Sequence, residues 1–227
     1  MIAGLDVGVG TMRRNEVSRF LIEPSYAYGV MGCPPRIPSN AKVCFEVELL
    51  SYTDSTAIDD YQHLSEEEKR DLPFERLVKV SKSLNAEGNE LYLCEKFGAA
   101  VRKYMKAINT MESATYKSEE EEQEMTTICT KSYLNIGLSY LKTGSFGRAL
   151  DSARKVLVLK PGHTKAMYLC GKAFRHLGEF PKSRIYLQRA LAASPRSKDI
   201  ITELKLLDQM ELNFQAMEKQ MCKKMFT

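Results

Sequence analysis

A repeat of 34 residues limits what this chain can fold into more than any other feature. Gly137 and Gly171 stand 34 residues apart, and laying one over the other places Tyr133 on Met167, Tyr140 on Phe174, Gly144 on Gly178, and Phe146 on Phe180. The same register places Ala149 on Ser183, Val156 on Ala190 and Pro161 on Pro195. Self-similarity at such a period belongs to stacked units, none of which can bury its apolar face alone. Small residues at the eighth and twentieth positions let two helices of a unit approach closely, large residues fill the space between them, and the last proline ends the second helix. A third copy lies upstream, with Gly88, Leu91, Phe97, Ala100 and Ala107 in register but no final proline. Its glycine precedes Gly137 by 49 residues, so about 15 extra residues, ESATYKSEEEEQEMT, extend the first connection. The units are 81–112, 130–163 and 164–197.

Residues 198–227 continue as one long helix, with Ile200, Leu204, Leu207, Met210, Phe214, Met217, Met221 and Phe226 at spacings of three to five. That stripe reads as a helix capping the last unit. A Met-rich helix with Lys223 and Lys224 has a second reading as a calmodulin target, which its many glutamates oppose. Upstream, residues 15–53 hold two β-rich runs, 17–22 and 42–50. In the second, Val43, Phe45, Val47 and Leu49 alternate with Cys44, Glu46 and Glu48. Residues 54–80 read as a linker, acidic and polar to Leu72 with a short helical piece around 64–70, followed by a lead-in helix. The expected architecture is mainly α: a three-repeat helical solenoid with a terminal capping helix, preceded by a partial β segment.

Composition narrows the function. With 227 residues, 44% hydrophobic, 27% charged and a net charge of +4, the chain has the make-up of a soluble globular protein and no strong pull toward nucleic acid. No apolar run approaches the roughly 18 to 20 residues that span a bilayer. The opening MIAGLDVGVG lacks the basic start and cleavage pattern of a secretion signal. A cytoplasmic location is therefore expected, with the six scattered cysteines as reduced thiols. His63, His163 and His176 lack ligand spacing, and no phosphate loop or Ser/His/Asp pattern is visible, so neither a metal nor a cofactor is expected. The acidic run 119–124 reads as solvated surface, with attraction of a basic partner as its other reading.

A unit of this length, with a small residue at position eight, an aromatic at eleven and proline at thirty-two, resembles the tetratricopeptide repeat (TPR). The stretch 26–50, YAYGVMGCPPRIPSNAKVCFEVELL, resembles the end of an FKBP-type peptidyl-prolyl isomerase domain, with Ile2, Gly4, Leu5 and Met12 on the family's short helix. Together these have the layout of the large TPR immunophilins. The GCPP loop, the FERLVKV run and the tail MCKKMF look most like the family's germline branch, inactive isomerases that serve piRNA-dependent transposon silencing as co-chaperones.

The family's catalysis uses a hydrophobic pocket that lowers the roughly 18 to 20 kcal/mol barrier of a prolyl bond by favouring its twisted form. Ile2, Tyr28, Ile37 and Phe45 keep pocket-type side chains. Leu5 stands where the family usually has Trp, Arg36 replaces an apolar loop residue and Cys33 a common His. Two strands and a helix do not close a sheet, so residues 1–53 are expected to be the C-terminal half of an FKBP-like domain without isomerase activity.

The resemblance further implies that the TPR groove grips the EEVD-type acidic tail of a cytosolic heat-shock chaperone through amides and cations, which a desolvated carboxylate requires. Asn89, Asn135 and Lys165 match that clamp, while Asn85 and Leu169 replace a Lys and an Arg. Lys82 and Lys172, at groove-facing positions, together with Lys131 and Arg175, are the cations available to compensate. Two other readings stay open: an FKBP-type isomerase, and a TPR scaffold for a non-chaperone peptide.

Overall fold

The computed structural model describes residues 2–13, 15–50 and 56–225, and the chain divides into two compact units, residues 1–54 and 55–227.

The first unit contains helix α1 (Ala3–Val9), strand β1 (Glu16–Ile22), a 3-10 turn (Pro24–Tyr26) and strand β2 (Val43–Leu49). The strands pair antiparallel from Glu16↔Leu49 through Phe20↔Phe45 to Ile22↔Val43. Val43, Phe45, Val47 and Leu49 are half-buried and Cys44, Glu46 and Glu48 exposed, as the period-two pattern requires. Among the described residues of this unit only Met12 and Ile22 are buried hydrophobics.

The second unit is helical: α2 (Thr56–Gln62), α3 (Glu66–Arg70), α4 (Phe74–Leu93), α5 (Phe97–Glu112), α6 (Glu119–Lys142), α7 (Phe146–Leu159), α8 (Thr164–His176), α9 (Phe180–Ala193) and α10 (Lys198–Met225). The pairs α4/α5, α6/α7 and α8/α9 stack in order, and α4, α6 and α8 pack side by side. Glycine at the eighth position is required by close approach. A Cβ on Gly88 would come within 2.5 Å of the Tyr104 ring, and one on Gly171 within 2.6 Å of Leu187. At Gly137 the tightest neighbour is Leu169 of the next unit, at 2.5 Å.

One turn recurs between the helices of each pair. Lys96, Ser145 and Glu179 donate their amides to the carbonyls of Leu91, Tyr140 and Phe174, at 2.8, 2.9 and 3.0 Å. This closure needs a left-handed residue just before the donor. Gly144 and Gly178 supply it with φ of 71° and 78°, whereas the first pair uses Glu95 at 58°.

Three segments refine or depart from their sequence reading. The 54–80 linker is largely structured: Ile58 of α2, only 2% exposed, packs with Val80, Leu84 and Ala107, and α4 runs unbroken from Phe74, so lead-in and first repeat helix are one. Residues 51–55, where the change from β to α was expected, lie outside the described residues. The acidic run 119–124, read as solvated surface, is mostly exposed and forms the start of helix α6. Ser118 accepts the Glu121 amide and four glutamates occupy the first turn of α6, where the helix dipole favours them. Finally, α10 covers the last repeat only in part. Ile200 and Leu207 are buried and Phe214 meets Phe180 edge-on at 5.8 Å, but Met217 and Met221 are each 61% exposed. Phe226 lies outside the described residues.

Candidate peptide-binding groove

In the first unit, Ile2, Leu5, Tyr28, Ile37 and Phe45 are all half-buried and none reaches full burial. Arg36 and Cys33 are exposed; the Cys33 and Ile37 backbones bond each other in both directions at 2.9 Å. These half-buried side chains belong to a two-stranded ribbon and the segments beside it.

In the helical unit, α4, α6 and α8 line one face of the array. The amide Nδ2 of Asn135 donates to Asn89 Oδ1 at 3.0 Å, and Tyr104 Oη donates to the same oxygen at 2.9 Å. Both donors sit on one oxygen, so the Asn89 amide nitrogen has no partner among the described residues and remains available to donate. Burial pushes the Tyr104 phenol up to about 12, so it stays a donor through the neutral range. The two asparagines, Tyr104, Tyr92, Leu93 and Leu138 line a largely apolar hollow of about 230 Å³. Tyr104 went unrecognised at the sequence level. The available signal was its place 16 residues after Gly88, where the second unit has Ala153 and the third Leu187.

Lys165 does not join the asparagines. It lines a separate hollow with Lys131 and Leu134 of α6 and residues around the start of α8. The two departures from the clamp are interior residues. Asn85, 4% exposed, donates to Ser81 O at 3.0 Å and accepts from Ser132 Oγ at 2.9 Å, tying α4 to α6. Leu169, 2% exposed, is the side chain seated against Gly137. An arginine at that position would have to leave this contact or bury its charge.

The compensating cations need correction. Lys82 Nζ lies 2.7 Å from Glu124 Oε1, so the extended acidic start of α6 holds it. Lys172 lies 3.9 Å from Glu203 and over the Tyr168 ring, and Arg175 is a buried partner of Glu203 at 2.6 Å. Lys131, by contrast, is exposed and has no carboxylate partner among the described residues. Buried Cys129 and Cys170 are pushed up to about 11 and 12 by desolvation and remain protonated thiols. No group of residues able to hold a metal ion occurs among the described residues, and no described helix is long and apolar enough to cross a membrane.

Comparison with known proteins gives these features a lineage. A family model for the FKBP-type peptidyl-prolyl cis-trans isomerase matches residues 1–50. The inactive peptidyl-prolyl cis-trans isomerase FKBP6 of Bos taurus is 35% identical over 223 residues, spanning 98% of this chain and 68% of that protein. The chain belongs to the FKBP-type immunophilins. This immunophilin is also 29% identical, over 230 residues, to the inactive isomerase shutdown of Bombyx mori, covering 100% of this chain and 52% of that one. Its helical array shares the fold of the C-terminal TPR-containing domain of a Plasmodium falciparum FK506-binding protein. The TM-score there is 0.59 at 23% identity, covering 65% of this chain and 99% of that one. The yeast Hsp90 co-chaperone Cns1 matches with a TM-score of 0.56 at 22% identity, covering 64% of this chain and 44% of that one. The solenoid is thus a TPR array, and the FKBP6 and shutdown proteins, which match nearly the whole chain, are named inactive enzymes.

Proposed function

We propose that this immunophilin is a non-catalytic co-chaperone whose TPR groove takes the acidic C-terminal tail of a cytosolic heat-shock chaperone, acting in the cytoplasm in germline piRNA biogenesis and transposon silencing. The observation that carries the reading is the Asn89–Asn135 pair, bonded across α4 and α6 with an amide nitrogen left to donate. Its polar edge beside an apolar hollow suits a terminal carboxylate preceded by an aliphatic side chain. The names of the FKBP6 and shutdown relatives support the non-catalytic part, and the half-buried residues of the FKBP segment agree with it.

The affinity should be modest. Asn85 and Leu169 are interior residues and Lys82 is neutralised, so two charged partners of the usual clamp are missing. At roughly 1.5 to 3 kcal/mol for each charged hydrogen bond, this weakens binding about a hundred-fold or more. Calorimetry with an EEVD-ending peptide tests the proposal. Binding in the micromolar range that falls about ten-fold or more in Asn135→Ala supports it, and absence of heat at high micromolar peptide removes it. A second reading, a scaffold for a peptide of other chemistry, is favoured by the burial of Leu169. It stands if the tail peptide fails while Asn135→Ala still loses partners in a pull-down.

A further inference from the structure

The hollow beside Lys165 differs in chemistry from the one beside Asn89. It measures about 550 Å³, and its polar lining includes Thr127, Thr130, Lys131, Lys160, His163 and Lys165. Neither an arginine nor a carboxylate lines it. Elsewhere in the array Lys82, Lys103 and Lys172 are paired with glutamates. Lys131 and Lys165 have no such partner among the described residues, and Lys160 has only a 3.4 Å contact to the Thr127 hydroxyl. Glu119 and Glu122 border a neighbouring hollow that shares Thr127 and Lys160, so the excess positive charge is greatest on the Lys131 and Lys165 side.

A second set of donors comes from the backbone. His163 caps α8 by accepting the Ala166 amide at 3.3 Å. The Thr164 and Lys165 amides ahead of it have no helical acceptor and sit at the positive end of the helix. Burial, together with Lys160 and Lys165, lowers the pKa of His163, so it stays a neutral cap at pH 7.

We propose that this hollow is a phosphoryl-binding subsite that seats a phosphorylated serine or threonine side chain of a peptide lying in the groove. A phosphoryl group brings nearly two charges and three acceptor oxygens. Three lysines as point charges and two helix-start amides can meet that charge and those oxygens. A carboxylate, with one charge and two oxygens, needs fewer cations than this lining supplies. The inference rests on the groove being a peptide groove, but not on which tail it holds.

The test uses the full chain and amide NMR, with N-acetyl-phosphoserine methylamide, its aspartate counterpart, inorganic phosphate and a short single-stranded RNA as probes at equal ionic strength. The phosphoserine probe should shift the amides of Thr130, Lys131, Thr164 and Lys165 and bind about ten-fold or more tightly than the aspartate probe. Lys131→Ala combined with Lys160→Ala should abolish that response. Equal response to aspartate or inorganic phosphate, a response mapping elsewhere, a preference for RNA, or no response overturns the proposal. Asn135→Ala should leave the phosphoserine response intact, so failure of the tail-binding reading and failure of this one are separate results.

Discussion

Two ion pairs of the same length show how differently the two units are held together. Arg19–Glu46 in the β unit and Arg175–Glu203 in the TPR array both close at 2.6 Å. The first pair has side chains 78% and 57% exposed, and the second 8% and 8%. In water the charges of the first are already solvated and the pair adds little. In the array Arg175 also reaches Met210 Sδ at 3.3 Å and the His176 ring at 3.0 Å, and Lys172 lies on the other oxygen of Glu203, so α8 is pinned to α10 by a desolvated network. The β unit is a ribbon with Met12 and Ile22 as its buried apolar residues among those described, whereas the array has an interior that makes each polar group depend on its partner.

The largest expected effect follows from that difference. Arg175→Met leaves the Glu203 carboxylate buried with only a distant lysine and should cost about 3 to 5 kcal/mol in urea unfolding. Arg19→Met should cost less than about 1 kcal/mol. Equal losses would mean that the array has no dry interior at α10.

A smaller effect is expected at the recurring turn. Gly144→Ala forces a side chain into the left-handed region and should cost about 1 kcal/mol, while Glu95→Gly removes the same strain and should gain up to about 1 kcal/mol, less the added freedom of the unfolded chain. Glu95 keeps the turn geometry of Gly144 and Gly178 without their residue type, which is why the glycine pattern revealed two such turns and hid the third.

The smallest effect is acidification. His163 and His176 have pKa values lowered, chiefly by burial, so below about pH 6.5 the unfolded chain takes up these protons before the folded one. Their contribution to stability is present above that pH and is lost as pH falls toward the lowered folded values. Thermal midpoints measured at pH 7.5 and 5.5 should fall on acidification, and replacing both histidines with glutamine should flatten the dependence.

The fold class was legible in the sequence because Gly88, Gly137, Gly171, Pro161 and Pro195 each mark a place where backbones approach or a helix ends, and such constraints survive in residue type. The FKBP alternation at Val43 to Leu49 was legible for the same reason, since a strand has only two faces. The groove was less so. Whether a lysine is available depends on what reaches it, and Glu124 reaches Lys82 from 42 residues away. Ile58 looked like one apolar residue in a polar linker until α4 and α5 supplied its neighbours. Leu169 could be matched to a clamp position by register, but its burial against Gly137 depends on two repeats stacking.

Two of the polar links between α4 and α6, Asn85 to Ser132 and Asn89 to Asn135, are neutral. Added salt shortens the reach of charges to about 3 Å at 1 M and would loosen the Lys82–Glu124 contact, but it has no charge to screen in these bonds. The groove should therefore hold its shape across an ionic-strength titration. The slope of peptide affinity against salt would then count the charges on the ligand that the protein meets, rather than report a change in the protein.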